Sequence, residues 1–367
     1  MNLSHSHRRP GSQSGIALVI VMISILVLAI LAGGFAYSMK VETTLARNAN
    51  SEAELEWLGR SGVEYARWIL AQQMSCPLEP YDALTQVWAG GAGGPCSTNG
   101  ALVDVQRTVQ LGHGTFTWKI TDLESKFNIN TATEPVLQQA LIVMGVDASD
   151  IPPVVGSILD WIDPNPGNET HIEGAKSEYY HRLTPPYDAK NGPIDDLSEL
   201  LLIKGVSQDM YWGSNSTNHT QAHFQRQVSG YGGASAVPPA YSVGFVDIFT
   251  PLSTGKLNIN TASAAALQLI PGVDPMRAEA IVAARGGEDD GSGLVGPYRS
   301  TDPGYLFNRV PGLGLEVARQ IQRLADVRSR TFEVQVDAQI GNYKRQFIAV
   351  LGRISPRDIQ VLTFYWK

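Results

Sequence analysis

Apolar residues crowd the front of this chain and then recur with two distinct periods. From Gly15 to Tyr37 the sequence is an unbroken uncharged run, preceded by a polar leader with Arg8 and Arg9 and followed by Lys40. About 20 apolar residues suffice to cross a bilayer as one helix, and basic residues just before the span favour a cytoplasmic leader with everything after it exported. Beyond the run, Leu55, Leu58, Gly62, Tyr65, Ala66 and Ile69 recur at three- and four-residue steps, and no proline comes before Pro77. This pattern predicts one helix from about residue 17 to 72, with a break at Gly33-Gly34 as the alternative. Alternation and β-branched content predict strands over 102–107 and 116–121, joined by Gly112-His-Gly114 into a hairpin. Three more strands are predicted over 331–338, 344–351 and 359–366, with turns at Gly341-Asn342 and Ser355-Pro356. The expected fold is α+β. A long N-terminal transmembrane and stem helix packs on an antiparallel sheet whose halves are separated in sequence by a large, mostly helical insert.

That organisation divides the chain into a leader (1–15), a membrane helix (16–37), a stem with the first strands (38–124), the insert (125–325) and closing strands (326–367). The insert carries an internal echo. Lys126-Phe-Asn-Ile-Asn-Thr-Ala-Thr133 returns as Lys256-Leu-Asn-Ile-Asn-Thr-Ala-Ser263, each time ahead of an apolar-periodic segment. Thr131 and Thr261, or else Thr133 and Ser263, are candidate helix caps, and the asparagines can bond neighbouring backbone. After the second copy come Ile270-Pro-Gly-Val273, a helix over about 276–285, and Val310-Pro-Gly-Leu-Gly314 before Val317–Ile321. This resembles a pair of helix–hairpin–helix units, as in DNA-uptake receptors and repair proteins, where turn amides at a helix N-terminus hold a phosphate. Asp274 stands where a glycine would admit the phosphate, Glu288-Asp-Asp290 lies near, and Arg309, Arg319 and Arg323 are the basic residues available at the second turn.

Composition narrows the chemistry. The 367 residues are 43% hydrophobic, enough for a sizeable core, and the formal net charge of −7 argues against general affinity for nucleic acid. The two cysteines, Cys76 and Cys96, flank a glycine-rich loop holding Trp88. In an exported domain they are expected to pair; two free thiols would need a reducing compartment. His171, His181, His219 and His223 are scattered through polar stretches, and no nucleophile–base spacing or phosphate-cradling loop after a strand is evident, so an enzyme is not expected.

The leader and run resemble a type IV prepilin signal, in which prepilin peptidase cuts between the residues here numbered Gly15 and Ile16 and leaves the helix in the mature protein. The fifth residue after that cut is Ile20, where filament-building relatives carry Glu. The most distinctive stretch lies between the two echo copies: Asp160-Trp-Ile-Asp163, Gly174-Ala175, Glu178-Tyr179-Tyr180, Pro185-Pro-Tyr187, Lys190-Asn-Gly192, Leu197-Ser-Glu-Leu200 and Ile203-Lys-Gly-Val206. With these motifs, and across nearly its whole length, the chain resembles the general secretion pathway K proteins, the large minor pseudopilins of type II secretion. The resemblance implies a non-enzymatic inner-membrane protein with a periplasmic head. It implies binding to I- and J-type minor pseudopilins, a place at the pseudopilus tip, a role in priming assembly, and contact with secreted cargo or the outer-membrane channel. It also implies calcium in the head, with Asp160, Asp163, Glu178 and Asn191 as foremost ligands and Asn165, Asn168 and Glu169 as further oxygens. The Gly-Ala-Glu-Asp run expected there reads Gly174-Ala175-Lys176-Ser177. The alternatives are a membrane-anchored DNA receptor using the hairpins, and a type IV pilus tip adhesin.

Overall fold

The computed structural model describes residues 14–98, 100–167, 169–215, 241–287 and 292–367. Arg8 and Arg9, Asn168, His219, His223, the glycine run at 230–233 and Glu288–Asp290 lie outside them. The first described element is a single helix, α1 (Ser14–Met74), of 61 residues. It runs through Gly33-Gly34 without a break and is about 90 Å long at 1.5 Å per residue. Residues 15–46 are exposed on every side, the state of a helix long and apolar enough to cross a membrane. From Leu55 onward one face is buried: Leu55, Leu58, Val63, Ala66, Ile69 and Leu70.

That face lies on a five-stranded antiparallel sheet, β1 (Thr108–Leu111), β2 (Gly114–Asp122), β3 (Thr331–Ile340), β4 (Tyr343–Ser355) and β5 (Asp358–Trp366), in the order β1-β2-β3-β4-β5. The chain leaves the sheet after Asp122 and returns at Thr331, yet β2 and β3 pair in register, with Trp118 opposite Val336 and Ile120 opposite Val334. Alternate residues of β2 and β3 (Phe116, Trp118, Ile120, Phe332, Val334, Val336) point at α1, which is why period-two reading found them. One strand is corrected. Residues 101–104 form a turn and pairing begins only at Thr108. Leu102 and Val105 spend their side chains on the α1–sheet core, and Arg107 reaches β2 only through bonds with Trp118.

Between stem and sheet, Cys76 and Cys96 are joined as a disulfide with Cα atoms 6.2 Å apart. Closing a loop of this size gives about 3 kcal/mol by chain entropy. Buried Glu79 ties the same loop, accepting from Gln73 (2.6 Å), Gln86 (2.8 Å) and the Cys96 amide (2.9 Å), while Trp88 meets Phe332 edge-on at 5.3 Å.

The insert has its own core, and its described residues form four helical hairpins, not the two expected. They turn at Gly145, Gly205, Gly272 and Gly312, each left-handed with φ between +76° and +87°. The first turn joins α2 (Glu134–Met144) to α3 (Ile151–Ile162). The second joins a short 3-10 helix (Leu197–Leu202) to Gln208–Trp212. The third leads from Ala264–Leu267 into α4 (Pro275–Ala284), and the fourth from α5 (Pro303–Arg309) into α6 (Leu315–Leu324). In the last three, the amide after the glycine closes onto a carbonyl three residues back: Val206 to Ile203, Val273 to Ile270, Leu313 to Val310. The insert is therefore two copies of one hairpin pair, and each copy opens with the Asn-Ile-Asn motif.

Candidate functional site

The two Asn-Ile-Asn motifs do the same work. The first asparagine of each accepts the amide two residues on, Asn128 from Asn130 (2.8 Å) and Asn258 from Asn260 (2.9 Å). The second clamps one distant residue through both backbone groups: Asn130 holds Ile194 (2.7 and 2.9 Å) and Asn260 holds Tyr298 (2.7 and 2.9 Å). The caps are Thr133 and Ser263, not the threonines two residues earlier; Ser263 accepts from the Ala266 amide at 3.1 Å, whereas Thr133 occupies its position without a side-chain bond.

The second copy is also the joint between insert and sheet. Asn258 donates to Ser329 Oγ (2.7 Å), the Asp82 carbonyl (3.0 Å) and Asp122 (3.1 Å). Asp122 also accepts from Thr261 (2.5 Å) and Ser329 (2.6 Å), and the next carboxylate, Glu124, accepts from Thr254 at 2.9 Å. Burial pushes Asp122 up to about 6, and burial with the neighbouring Asp122 charge pushes Glu124 up to about 7. Both folded values lie above the unfolded ones, so the folded joint holds protons that the unfolded chain releases. The stability this contributes is full below about pH 4 and is lost as pH rises through 6 to 7. The expected outcome is a melting temperature several degrees higher at pH 5.5 than at pH 8, with the slope reduced in Glu124→Gln. An unchanged slope in that variant would remove Glu124 as its source.

The distinctive stretch between the copies folds around three rings. Trp161, at the end of α3, meets Tyr180 edge-on at 5.3 Å, and Tyr180 stacks on Tyr187 at 5.2 Å. Tyr187 donates to the Leu202 carbonyl (2.7 Å), and Asp196 with Glu199 forms a capping box on the Leu197–Leu202 turn. The motif residues are thus mainly a scaffold. Among the expected metal ligands, Asp160 is fully buried and accepts from the His171 amide (3.1 Å) and Nδ1 (2.7 Å). Asp163 accepts from Lys176 Nζ at 2.9 Å, and Lys176 also donates to the Asn165 carbonyl at 3.0 Å. Glu178 is exposed, and Asn191 donates to the Ala189 carbonyl at 2.9 Å. Glu178, Asn191 and Lys176 share the wall of one open cavity of about 500 Å³. Among the described residues, the one trio of His, Cys, Asp or Glu close enough to share an ion is Cys76, Glu79 and Cys96, and its sulfurs are already bonded to each other.

The hairpin tips are not arranged for phosphate. Asp274 caps α4, accepting from the Arg277 amide (2.8 Å) and side chain (2.9 Å), so a carboxylate covers the amides a phosphate would use. Arg309 is buried, with its guanidinium on the carbonyls of Gly293 (3.1 Å), Pro297 (3.2 Å) and Ala284 (3.0 Å). Arg319 pairs with Glu316 and Arg323 is exposed.

The surface that is unlike a solvated one lies along the stem. Gly15 and Ile16 lie exposed in the first turn of α1, and Ile20 is 58% exposed. Where the stem meets the sheet edge, Trp57 (69% exposed) and Trp366 (63% exposed) flank Phe364, with Arg60 over the rings of Trp57 and Phe364. Aromatic rings with an arginine between them are the composition of interface anchors.

Comparison with known proteins bears on both regions. Residues 119–213 match the family model for type II secretion system protein K, and residues 253–288 match the helix–hairpin–helix motif. Type II secretion system protein K of Pseudomonas aeruginosa is 22% identical over 95% of this chain and 92% of its own length. A putative type II secretion system protein K of Escherichia coli K12 is 24% identical over 54% of this chain and 60% of its own. The matches thus span about three fifths of the E. coli relative and of the Aeromonas hydrophila one. In fold, the chain is similar to a chain of the GspK-GspI-GspJ complex of enterotoxigenic E. coli, with TM-score 0.60 and 16% identity over 88% of this chain and 99% of that one. Stem, interrupted sheet, hairpin insert and motif-bearing loop agree with these matches: in sequence over most of its length, and in fold, the chain is similar to type II secretion system protein K.

Proposed function

We propose that this chain is a minor pseudopilin that caps the periplasmic tip of a type II secretion pseudopilus and primes its assembly together with I- and J-type minor pseudopilins. The observation that carries the reading is α1. Its first 30 or so residues have nothing packed on them, while its second half is fixed to the head. Lipid and the helices of neighbouring subunits are the surroundings that satisfy such a surface. Ile20 fits an end position: a carboxylate there would need an amine above it, and an unpaired one in the membrane costs several kcal/mol. The GspK-GspI-GspJ complex supports the partner class, and the Trp57–Phe364–Trp366 surface is where a partner head would seat. Arg8 and Arg9 before the span orient the head to the periplasm, with the helix in the inner membrane. There the tip also faces secreted cargo or the outer-membrane channel. The role is assembly.

Prepilin peptidase would release the helix by cutting between Gly15 and Ile16. The test is the N-terminus of protein extracted from its native membrane, in wild type and in Gly15→Leu. The mature wild type is expected to begin at Ile16 and to pull down the other minor pseudopilins. The variant is expected to insert but to remain uncut and unassembled. Normal assembly of uncut protein would end this reading.

A further inference from the structure

We propose that fixed ammonium groups of Lys176, Lys190 and Lys204 hold the 163–204 segment of this head in place of calcium, so that its folding is independent of divalent cations. Lys176 is the central case. Its side chain is 10% exposed and that of Asp163 15%. One carboxylate oxygen and one backbone carbonyl, from Asp163 and Asn165, converge on a single Nζ at 2.9 and 3.0 Å. Convergence of carboxylate and carbonyl oxygens on a point is what a calcium site presents; here a tethered single charge fills the point. The pattern repeats twice nearby. Lys190 Nζ sits between Asp195 (2.6 Å) and Glu199 (2.7 Å). Lys204 Nζ donates to the carbonyls of Glu173 (2.9 Å) and Gly174 (3.4 Å), 5.2 Å from the Tyr179 ring.

The oxygens left over do not make a calcium site. Calcium takes about six to eight. Asp160 has one oxygen on His171, Asp163 is on Lys176, and Glu178 is exposed. Among the described residues, Asp160 Oδ2 and Asn191 Oδ1 are the buried side-chain oxygens at this segment without a donor, and even with the exposed Glu178 carboxylate they fall short of six. A divalent ion beside Asp163 would also meet the Lys176 ammonium head-on. A lysine at this position of the Gly174-Ala175-Lys176-Ser177 run thus both removes a ligand and supplies the charge.

The experiment uses the full chain in detergent, stripped with EGTA. Thermal unfolding is followed with and without 5 mM calcium chloride, and calcium is assayed by equilibrium dialysis. Wild type is expected to bind no calcium and to shift by less than about 1 °C, whereas an occupied site at this concentration would raise the melting temperature by several degrees. Lys176→Met is expected to melt about 5 °C lower, since Asp163 keeps its charge and loses the ammonium that neutralises it, and Lys176→Arg to stay near wild type. Calcium bound by wild type, a calcium-dependent rise in its melting temperature, or a Lys176→Met variant as stable as wild type would each overturn the proposal. If Lys176→Met does not fold, the dialysis of wild type still decides.

Discussion

Replacing Arg353 by Met is expected to destabilise the head by about 3–5 kcal/mol, the cost of leaving one member of a buried ion pair alone. Arg353 and Asp82 are each about 1% exposed, and the guanidinium donates to the Asp82 carboxylate and, at 2.7 Å, to the Ser329 carbonyl. It also lies 4.7 Å from the Phe332 ring. Three pieces of chain distant in sequence meet on this one group: the loop after the stem, the segment leading into β3 and the end of β4. Asp82 has only one other donor to the same oxygen, the Ser329 amide at 2.9 Å. The variant therefore strands a carboxylate next to the Asp122 joint. The double variant Arg353→Met, Asp82→Asn removes both charges and is expected to recover much of the loss, because a buried pair contributes less net stability than its removal by halves suggests. Thermal or denaturant unfolding of the three proteins checks this. A single variant as stable as wild type, or a double variant no better than the single, would dismiss Arg353–Asp82 as a fastening.

The elements that periodicity announces were legible. The stem from Leu55 onward and strands β2 and β3 keep one face on one core, so spacing alone reports them. The 102–107 segment has the same β-branched alternation, but its apolar side chains fill a gap beside the stem instead of joining the ladder. The first hairpin pair was hidden for two reasons. Its second arm is a 3-10 turn, Leu197–Leu202, with no 3.6 period, and its turn reads Ile203-Lys-Gly-Val206, with lysine where the later turns have proline. The shared signal, hydrophobic-x-Gly-hydrophobic, was present in both. Arg309 looked free for phosphate because sequence reports a charge and not its direction; the structure turns it inward onto carbonyls. Asn258 is the local backbone partner that its motif predicts. Its Nδ2 nonetheless reaches Asp82, Asp122 and Ser329, contacts that exist only once insert and sheet have met.

The stem's seat on the sheet depends on the absence of a side chain. A Cβ at Gly62 would stand 2.5 Å and 2.9 Å from the two γ-carbons of Val336 and 3.1 Å from Phe116. One at Gly59 would enter the Phe347 ring. Glycine in mid-helix costs about 0.5–1 kcal/mol relative to alanine, so close approach must return more than that. Gly62→Leu is expected to lift α1 from β3 and loosen Leu55, Leu58 and Ala66 along with it. The loss should exceed about 3 kcal/mol, the upper end of ordinary overpacking, because helix and sheet are both continuous here and neither can yield alone. Gly33 and Gly34 are the internal control: nothing lies within 4 Å of a Cβ at either. Alanine at those positions should leave the melting temperature of the head unchanged. Trimming the obstacle should also restore the seat, so Gly62→Ala combined with Val336→Ala is expected to be more stable than Gly62→Ala in a Val336 background. Unfolding curves of these variants in detergent supply the measurement, with limited proteolysis of the stem as a local readout. A Gly62→Leu protein that melts like wild type would mean that stem and sheet do not touch as closely as described. The head would then hang from the membrane helix by its core contacts at Ile69 and Leu70 alone.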